Sequence, residues 1–301
     1  MDFARYLLAK QSVDDRSLNR WVYQQLVTAL AGTDPTAPLT ILEVGCGLGT
    51  MVHRLWDWRL TPQAVYCGLD REPTLIRQAP YLLQDFAHRH GLTCEAQEGR
   101  WRLTGKGQTW LITFQTQDIL TMTLPPEAGA GVGLLLAHAV LDLLDLEANL
   151  PRLLDCLRPG GLYYFTLNYD GETIFAPPLE PAFEAAILSL YHQSMGPGQG
   201  DRAGQSQTGR RLLQALCQSG HSPLAAGSSD WIVWPGPDGT YPAAEAYFLH
   251  CILDFIGRAV SFALPADRAR FRTWLRQRRC QIDAGELIFL AHQLDVLGRR
   301  G

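Results

Sequence analysis

The chain has 301 residues with a formal net charge of −4, and 47% of them are hydrophobic against 19% charged. That length is ample for a buried core, as one large domain or two ordinary ones, and the apolar fraction excludes a mainly disordered protein. Its 28 glycines and 18 prolines exclude a collagen-like or low-complexity chain. From the N-terminus, Phe3, Tyr6 and Leu7 recur at helical spacing. Asp14 or Asp15 is placed to cap a second helix with the apolar stripe Leu18, Trp21, Val22, Leu26 and Leu30. A loop from Ala31 to Pro35 ends that helix. Leu39 to Val44 reads as a short apolar strand and, after a glycine-rich stretch, Thr50 to Trp58 reads as a helix. A second strand, Ala64 to Leu69, runs into Asp70, and a helix follows from about Thr74 to Arg89. Alternation at Gly99 to Leu103 and Trp110 to Phe114, on either side of a Thr-Gly-Lys-Gly turn, predicts a hairpin whose second arm enters the sheet and ends near Asp118.

Gly131 to Leu136 is a continuous apolar strand of the fully buried type. A helix around Leu146 to Leu157 stops at Arg-Pro-Gly-Gly, and Leu162 to Leu167 is the next strand. Beyond Asp170 the rhythm loosens. A helix near Pro181 to Gln193 precedes Gly196 to Gly200, a stretch with the composition of a mobile flap. Thr208 to Gln218 is helical and Ser229 to Trp234 strand-like. Helices at about Pro242 to Phe262 and Ala266 to Ala284 precede a last strand, Leu287 to Val296. Strands alternating with helices argue for an α/β sheet with parallel core strands.

The sharpest signal is Leu42-Glu43-Val44-Gly45-Cys46-Gly47-Leu48-Gly49-Thr50, between an apolar strand and a helix. Glycines permit a tight turn and let a ligand approach the backbone, while the helix N-terminus offers free N–H groups. The dinucleotide fingerprint G-x-G-x-x-G fails because the third glycine comes one residue early, and the Gly-Lys-Ser/Thr ending of a P-loop is absent.

With Glu43 two residues before the first glycine, the E-x-G-x-G-x-G form resembles the first motif of class I S-adenosylmethionine-dependent methyltransferases. Further marks fall in order: Asp70 closing the second strand, Asp118-Ile119 the third, His138 the fourth, and Leu157-Arg158-Pro159-Gly160-Gly161 before the fifth. The resemblance covers roughly residues 39 to 170. It implies a Rossmann-like α/β fold, a seven-stranded mostly parallel sheet with helices on both faces, here with helical lid insertions. It also implies S-adenosyl-L-methionine as cofactor and S-adenosyl-L-homocysteine as product. Glu43, Gly45, Cys46 and Gly47 would surround the methionine moiety, Asp70 would hold the ribose, and Arg71 or Glu72 would flank the adenine. Asp118 would accept the adenine amino group beside the Ile119 backbone, and the His138 backbone would lie near the methionine amino end.

For a hydroxyl acceptor a base is needed, and the candidates are His138, Tyr169, Asp170 and His250, with His192 also weighed. Asn168-Tyr169-Asp170 is read as a strand terminus facing the acceptor pocket. Tyr6 and Lys10 share a helical face, as do Arg16 and Arg20, and Tyr247 lies one turn from His250. Tyr6, Lys10, Asn168 and Tyr247 are the substrate-binding candidates. Asp142 and Asp145 are assigned to a helix start, where acidic residues favour the dipole. The position after the fourth strand reads Ala137-His138-Ala139-Val140 and disfavours nucleic-acid amino methylation.

The longest apolar run, Gly131 to Leu141, is too short for a membrane span. The seven cysteines form no Cys-x-x-Cys pair, so neither a disulfide framework nor a metal site is expected. Residues 1 to 6 lack a signal layout, which favours a cytoplasmic location. The only lysines are Lys10 and Lys106; the arginines are spread along an acidic chain and read as solvated helix faces, so no nucleic-acid partner is expected. The expected organisation is an N-terminal helical lid over 1–38 and a catalytic domain over 39–301 with insertions at about 171–207 and 235–284, a monomer or homodimer. The expected activity is methylation of a small-molecule acceptor at oxygen or nitrogen. The alternatives are a protein or tRNA methyltransferase and a non-catalytic S-adenosylmethionine-binding regulator.

Overall fold

The computed structural model describes residues 2–32, 37–124, 126–195, 206–261, 263 and 266–301. Along the chain the strands are β1 (Leu39–Val44), β2 (Gln63–Asp70), β3 (Thr93–Gln97), β4 (Arg100–Gly105), β5 (Gln108–Thr116), β6 (Val132–His138), β7 (Leu157–Ala176), β8 (Ser222–Ser228), β9 (Trp231–Val233) and β10 (Ile288–Arg299). The helices are α1 (Phe3–Ser17), α2 (Arg20–Leu30), α3 (Thr50–Asp57), α4 (Pro73–His90), α5 (Leu146–Asp155), α6 (Pro181–Ser194), α7 (Thr208–Gln218), α8 (Glu245–Val260) and α9 (Arg268–Asp283). The strands form one sheet in the order β3-β4-β5-β2-β1-β6-β7-β10-β8, with β9 also paired to β10.

The centre of this sheet, β5-β2-β1-β6-β7, is parallel throughout. Around it the seven-stranded, mostly parallel expectation needs correction: the described residues form a mixed sheet of ten strands. The β3-β4-β5 meander turns back antiparallel through tight turns, and β10 runs antiparallel to β7, β8 and β9. Because β2 lies on one side of β1 and β6 on the other, the crossovers diverge at the carboxyl end of β1. That opens a crevice where ligands sit in doubly wound sheets.

Strand alternation sorts the core. Ile41, Leu134, Leu136 and Tyr164 meet α2, α3 and α4 on one face; Leu42, Leu135, Tyr163 and Phe165 meet α5 and α7 on the other. A further apolar cluster joins α1, α6, α8 and α9 to the far ends of β7 and β10.

Two local readings are corrected. Asp14 and Asp15 lie inside α1 rather than capping α2; the cap is Asn19, whose side chain accepts from the Val22 N–H at 3.0 Å. The segment Asn168 to Asp170 is not a strand terminus, because β7 continues to Ala176. The strand instead bulges: Leu167 adopts φ of +55°, and pairing with β10 slips between Phe165–Val296 and Asn168–Leu294. The buried Asp295 carboxylate supports the bulge by accepting the Leu167 N–H at 2.8 Å. The Gly196–Gly200 flap lies outside the described residues, as does most of the loop expected to end α2.

Candidate active site

Gly45, Gly47 and Gly49 all take positive φ, +67°, +54° and +74°, so the chain coils tightly between β1 and α3. A Cβ on Gly45 would stand 2.5 Å from Val140, and one on Gly49 would stand 2.6 Å from Phe114. At Gly47 the nearest atom is Leu7 of α1, 3.2 Å from where a Cβ would lie. Thus α1 meets the turn through Leu7. Asp70, at the end of β2, is fixed to the turn: one carboxylate oxygen accepts the Gly47 N–H at 2.8 Å and the other accepts the Glu72 N–H at 2.8 Å. Each oxygen keeps a lone pair for another donor. Arg71 and Glu72 are exposed beside it. Asp118 is exposed beyond β5 and accepts the Leu120 N–H through Oδ1 at 2.8 Å, while Ile119 packs against the core.

Glu43 is buried, its carboxyl held by the Tyr66 hydroxyl. Burial raises its pKa to about 7, against the lowering influence of the phenol and Arg54. Cys46 is also buried, its thiol pushed up chiefly by desolvation and next by Glu43.

Between α1 and the sheet lies a buried polar network. Asp14 accepts from Lys10 at 2.7 Å and from the Trp231 indole N–H at 2.9 Å. Arg54 of α3 donates to Asp15 at 2.5 Å and to Thr50 at 3.1 Å. Its Nη2, 3.7 Å from Asp14 Oδ2, is buried without a hydrogen-bond partner among the described residues. The His138 ring lies inside this network, with Nδ1 2.8 Å from Thr166 Oγ1 and Nε2 3.3 Å from Asp14 and 3.2 Å from Arg54. Burial lowers the His138 pKa to about 4 despite the hydrogen bond to Asp14, so the ring is neutral near pH 7. Burial alone would raise Asp14; Lys10, His138 and Arg54 reverse that and hold it well below the usual carboxylate range.

The remaining candidates divide between the two faces of β7. Tyr169 joins Tyr6 in the cluster with α6 and α8, its hydroxyl 2.7 Å from Thr173 Oγ1 and 2.8 Å from His192 Nε2. Burial drives its pKa up and that of His192 down. Asp170 points the other way and is clasped by Arg210 of α7, whose Nε lies 3.0 Å from both carboxylate oxygens. Asn168 is fully buried and donates to the Phe165 and Leu294 carbonyls. His250 and Tyr247 stand apart on α8, His250 beside Asp283 at 3.1 Å and Tyr247 under the Arg5 guanidinium at 3.9 Å. Lys10 thus shares Asp14 with His138, and Tyr6 shares an apolar cluster with Tyr169, whereas Asp170, His250 and Tyr247 are held elsewhere.

Between β7 and α6 a cleft of about 540 Å³ is lined by Glu172, Thr173, Leu188, His192 and Gln207. Among the described residues no group of three His, Cys, Asp or Glu side chains is arranged to hold a metal ion, and no helix is long and apolar enough to cross a membrane. Arg54, buried in the polar network, is the candidate that the sequence reading missed, because an arginine inside a helix carries no local sign of burial.

No protein-family model matches the sequence, and no curated protein matches it. Among solved structures, the chain is similar to one from Anaeromyxobacter dehalogenans described as a type II methyltransferase, with a TM-score of 0.51 and 17% identity over 94% of this chain and 96% of that one. It also matches a structure from Galdieria sulphuraria described as a sarcosine dimethylglycine methyltransferase, with a TM-score of 0.45 and 15% identity over 93% of this chain and 84% of that one. A geranyl diphosphate C-methyltransferase from Streptomyces coelicolor, solved with S-adenosyl-L-homocysteine, gives a TM-score of 0.41 and 12% identity over 92% and 79%. The first superposition identifies a fold; the other two are too loose to add to it. With the glycine turn at the switch point of its parallel strands, the chain has the fold of the class I S-adenosylmethionine-dependent methyltransferases.

Proposed function

We propose that the protein transfers the methyl group of S-adenosyl-L-methionine to an oxygen or nitrogen of a small molecule held beside the carboxyl end of β6 and the neighbouring middle of β7. The observation that carries this reading is the Glu43-to-Gly49 turn at the end of β1 with the Asp70 carboxylate bonded to its Gly47 N–H. The residues fit the cofactor. Asp70 has lone pairs to accept both ribose hydroxyls, and Asp118, whose Oδ1 takes the Leu120 N–H, has Oδ2 left for an adenine amino group. Arg54 Nη2, paired with Asp14 at 3.7 Å but without a hydrogen bond among the described residues, offers a donor to the cofactor's carboxylate. When bound, S-adenosylmethionine supplies a methyl group already activated on a sulfonium, and its loss leaves S-adenosyl-L-homocysteine.

The chain's own work is therefore to align two reactants and exclude water. Leu7 of α1 stands against the glycine turn at Gly47, and the network of Lys10, Asp14, Arg54 and His138 fixes α1 to α3 and β6. Held in the network, a neutral His138 positions the end of β6 rather than carrying charge into the acceptor space. Tyr169 and Tyr6 form part of the acceptor wall.

Calorimetry with S-adenosylmethionine, S-adenosylhomocysteine and NAD tests the assignment. Both sulfur compounds are expected to bind and NAD is not; the reverse result defeats the reading. Asp70→Asn preserves shape while removing charge, and is expected to weaken S-adenosylmethionine tenfold or more through loss of charge-assisted bonds of about 1.5–3 kcal/mol. Unchanged affinity would remove Asp70 from the ribose site.

A further inference from the structure

β6 ends at His138, opposite Thr166, whereas β7 runs on to Ala176 with β10 along its other edge. Beyond Thr166 the β6 side of β7 therefore has no strand beside it among the described residues, and is met only by the single bridge between Asp170 and Gln207. Between this open edge and α6 lies the cleft of about 540 Å³, a volume within the range of small-molecule sites. Glu172 and Thr173 of β7, Ser189, His192 and Gln193 of α6, and Gln207 supply its polar lining. Thr173 is buried, its Oγ1 2.7 Å from the Tyr169 hydroxyl, and that hydroxyl lies 2.8 Å from His192 Nε2. With Nε2 engaged, the imidazole has Nδ1 left for a guest in the cleft.

We infer that this cleft is a binding site for a hydroxylated amine of about the size of an amino sugar. Its polar groups, Glu172 apart, both donate and accept. When Tyr169 donates to His192 Nε2, Nδ1 presents an N–H; when Tyr169 turns its proton to Thr173, Nδ1 presents a lone pair. Burial lowers the His192 pKa against the pull of Glu172, so the ring is neutral near pH 7 and both forms are open to it. Burial also raises the Tyr169 pKa, which keeps the phenol's proton in the chain. The Ser189 hydroxyl accepts from Gln193 at 3.1 Å and keeps its own proton to give. Ligand hydroxyls, which donate and accept in the same way, match such a wall.

Charge selects the amine. Glu172 is the one formally charged side chain in the described lining, and a carboxylate accepts only, so an ammonium group is its complement. An anionic guest would meet that carboxylate with no lysine or arginine in the described lining to offset it; Arg210, at the start of α7, is held by both oxygens of Asp170. An apolar guest would bury the wall's hydroxyls and amides without partners, and Ala185 and Leu188 alone offer it apolar contact. None of these groups belongs to the glycine turn or to the residues assigned to the cofactor, so binding here stands apart from methyl transfer.

D-glucosamine, D-glucose and D-glucuronate share a ring and differ in charge. In saturation-transfer nuclear magnetic resonance titrations of the full chain, glucosamine is expected to bind about threefold or more tightly than glucose, the scale of an ion pair to an exposed carboxylate. Glucuronate is expected to bind most weakly of the three. Glu172→Gln, a change at an exposed position, should bring glucosamine to the level of glucose while leaving glucose unchanged. Ala185→Trp, at an exposed position of α6, puts an indole into the cleft and should abolish binding of both sugars with the urea midpoint kept at the wild-type value. No glucosamine binding, glucuronate binding as tightly as glucosamine, or glucosamine binding unaltered in either variant overturns the inference.

Discussion

At the scale of single residues, His138 illustrates what composition and spacing leave open. Its place at the end of an apolar strand was legible, because a histidine that closes such a run marks a strand terminus. Its surroundings were not, since Asp14 and Arg54 reach it from 124 and 84 positions away in the chain. Those neighbours have a consequence for stability against pH. An unfolded histidine titrates near 6.5, while the folded ring titrates near 4 because burial opposes its charge. Between these values the unfolded chain binds a proton that the folded chain refuses, so acidification destabilises the fold, and the loss is complete below about pH 4. The displacement corresponds to roughly 3 kcal/mol. Denaturant titrations of wild type and His138→Gln at pH 4.5 and 7 measure it. Wild type is expected to lose more stability than the variant on acidification. Glu43 runs the opposite way, since its raised pKa favours the fold at low pH and loses that contribution as pH rises through 7, but it is present in both proteins and cancels in the difference. Equal pH dependence of the two proteins would contradict a buried, neutral His138.

At the scale of elements, the strands and helices that alternate in apolar pattern were readable from sequence, and β1, α3, β2 and α7 fall within a residue or two of their expected bounds. The failures share a cause. β3 is polar and largely exposed, so it has no buried face to produce alternation, and β8 lies at the sheet edge with Pro223 near its start. In β7, Leu167 shifts the register and carries the strand past the point where its pattern breaks. α1 departs most from its sequence reading. Its Lys10, Asp14 and Asp15 look like the surface of an exposed helix, yet Lys10 and Asp14 are buried and tie α1 to α3, β6 and β9. Asp14→Ala leaves Lys10 and Arg54 buried without their shared carboxylate, and is expected to cost about 3–5 kcal/mol. Hydrogen exchange should then show the α1 amides losing protection ahead of the central strands. A variant whose α1 stays as protected as wild type would mean that apolar packing by Tyr6, Ala9 and Val13 suffices to hold the helix.

For the whole molecule, 301 residues left room for two independent domains. The folded arrangement argues for one cooperative unit. β7 runs 20 residues and β10 runs 12, and their pairing carries the same two strands from the central sheet into the cluster of α1, α6, α8 and α9. Trp231 packs against that cluster and against the central core alike, and its indole N–H reaches Asp14. Phe248 tests the coupling because it is fully buried in the far cluster, with Tyr6, Trp231 and Phe289 at ring separations of 6.0, 5.3 and 6.1 Å. Phe248→Ala removes that ring and is expected to destabilise the protein by about 3–5 kcal/mol. If the clusters unfold together, the urea transition followed by far-ultraviolet circular dichroism and by tryptophan fluorescence shifts to lower denaturant as one step with an unchanged slope. If α8 and α9 with their partners form a separate unit, a second transition splits off at low urea while the remainder stays at the wild-type midpoint. The β7–β10 ladder, which spans both clusters across its register shifts, favours the single step, since breaking the far cluster would strip the outer half of both strands of their cover.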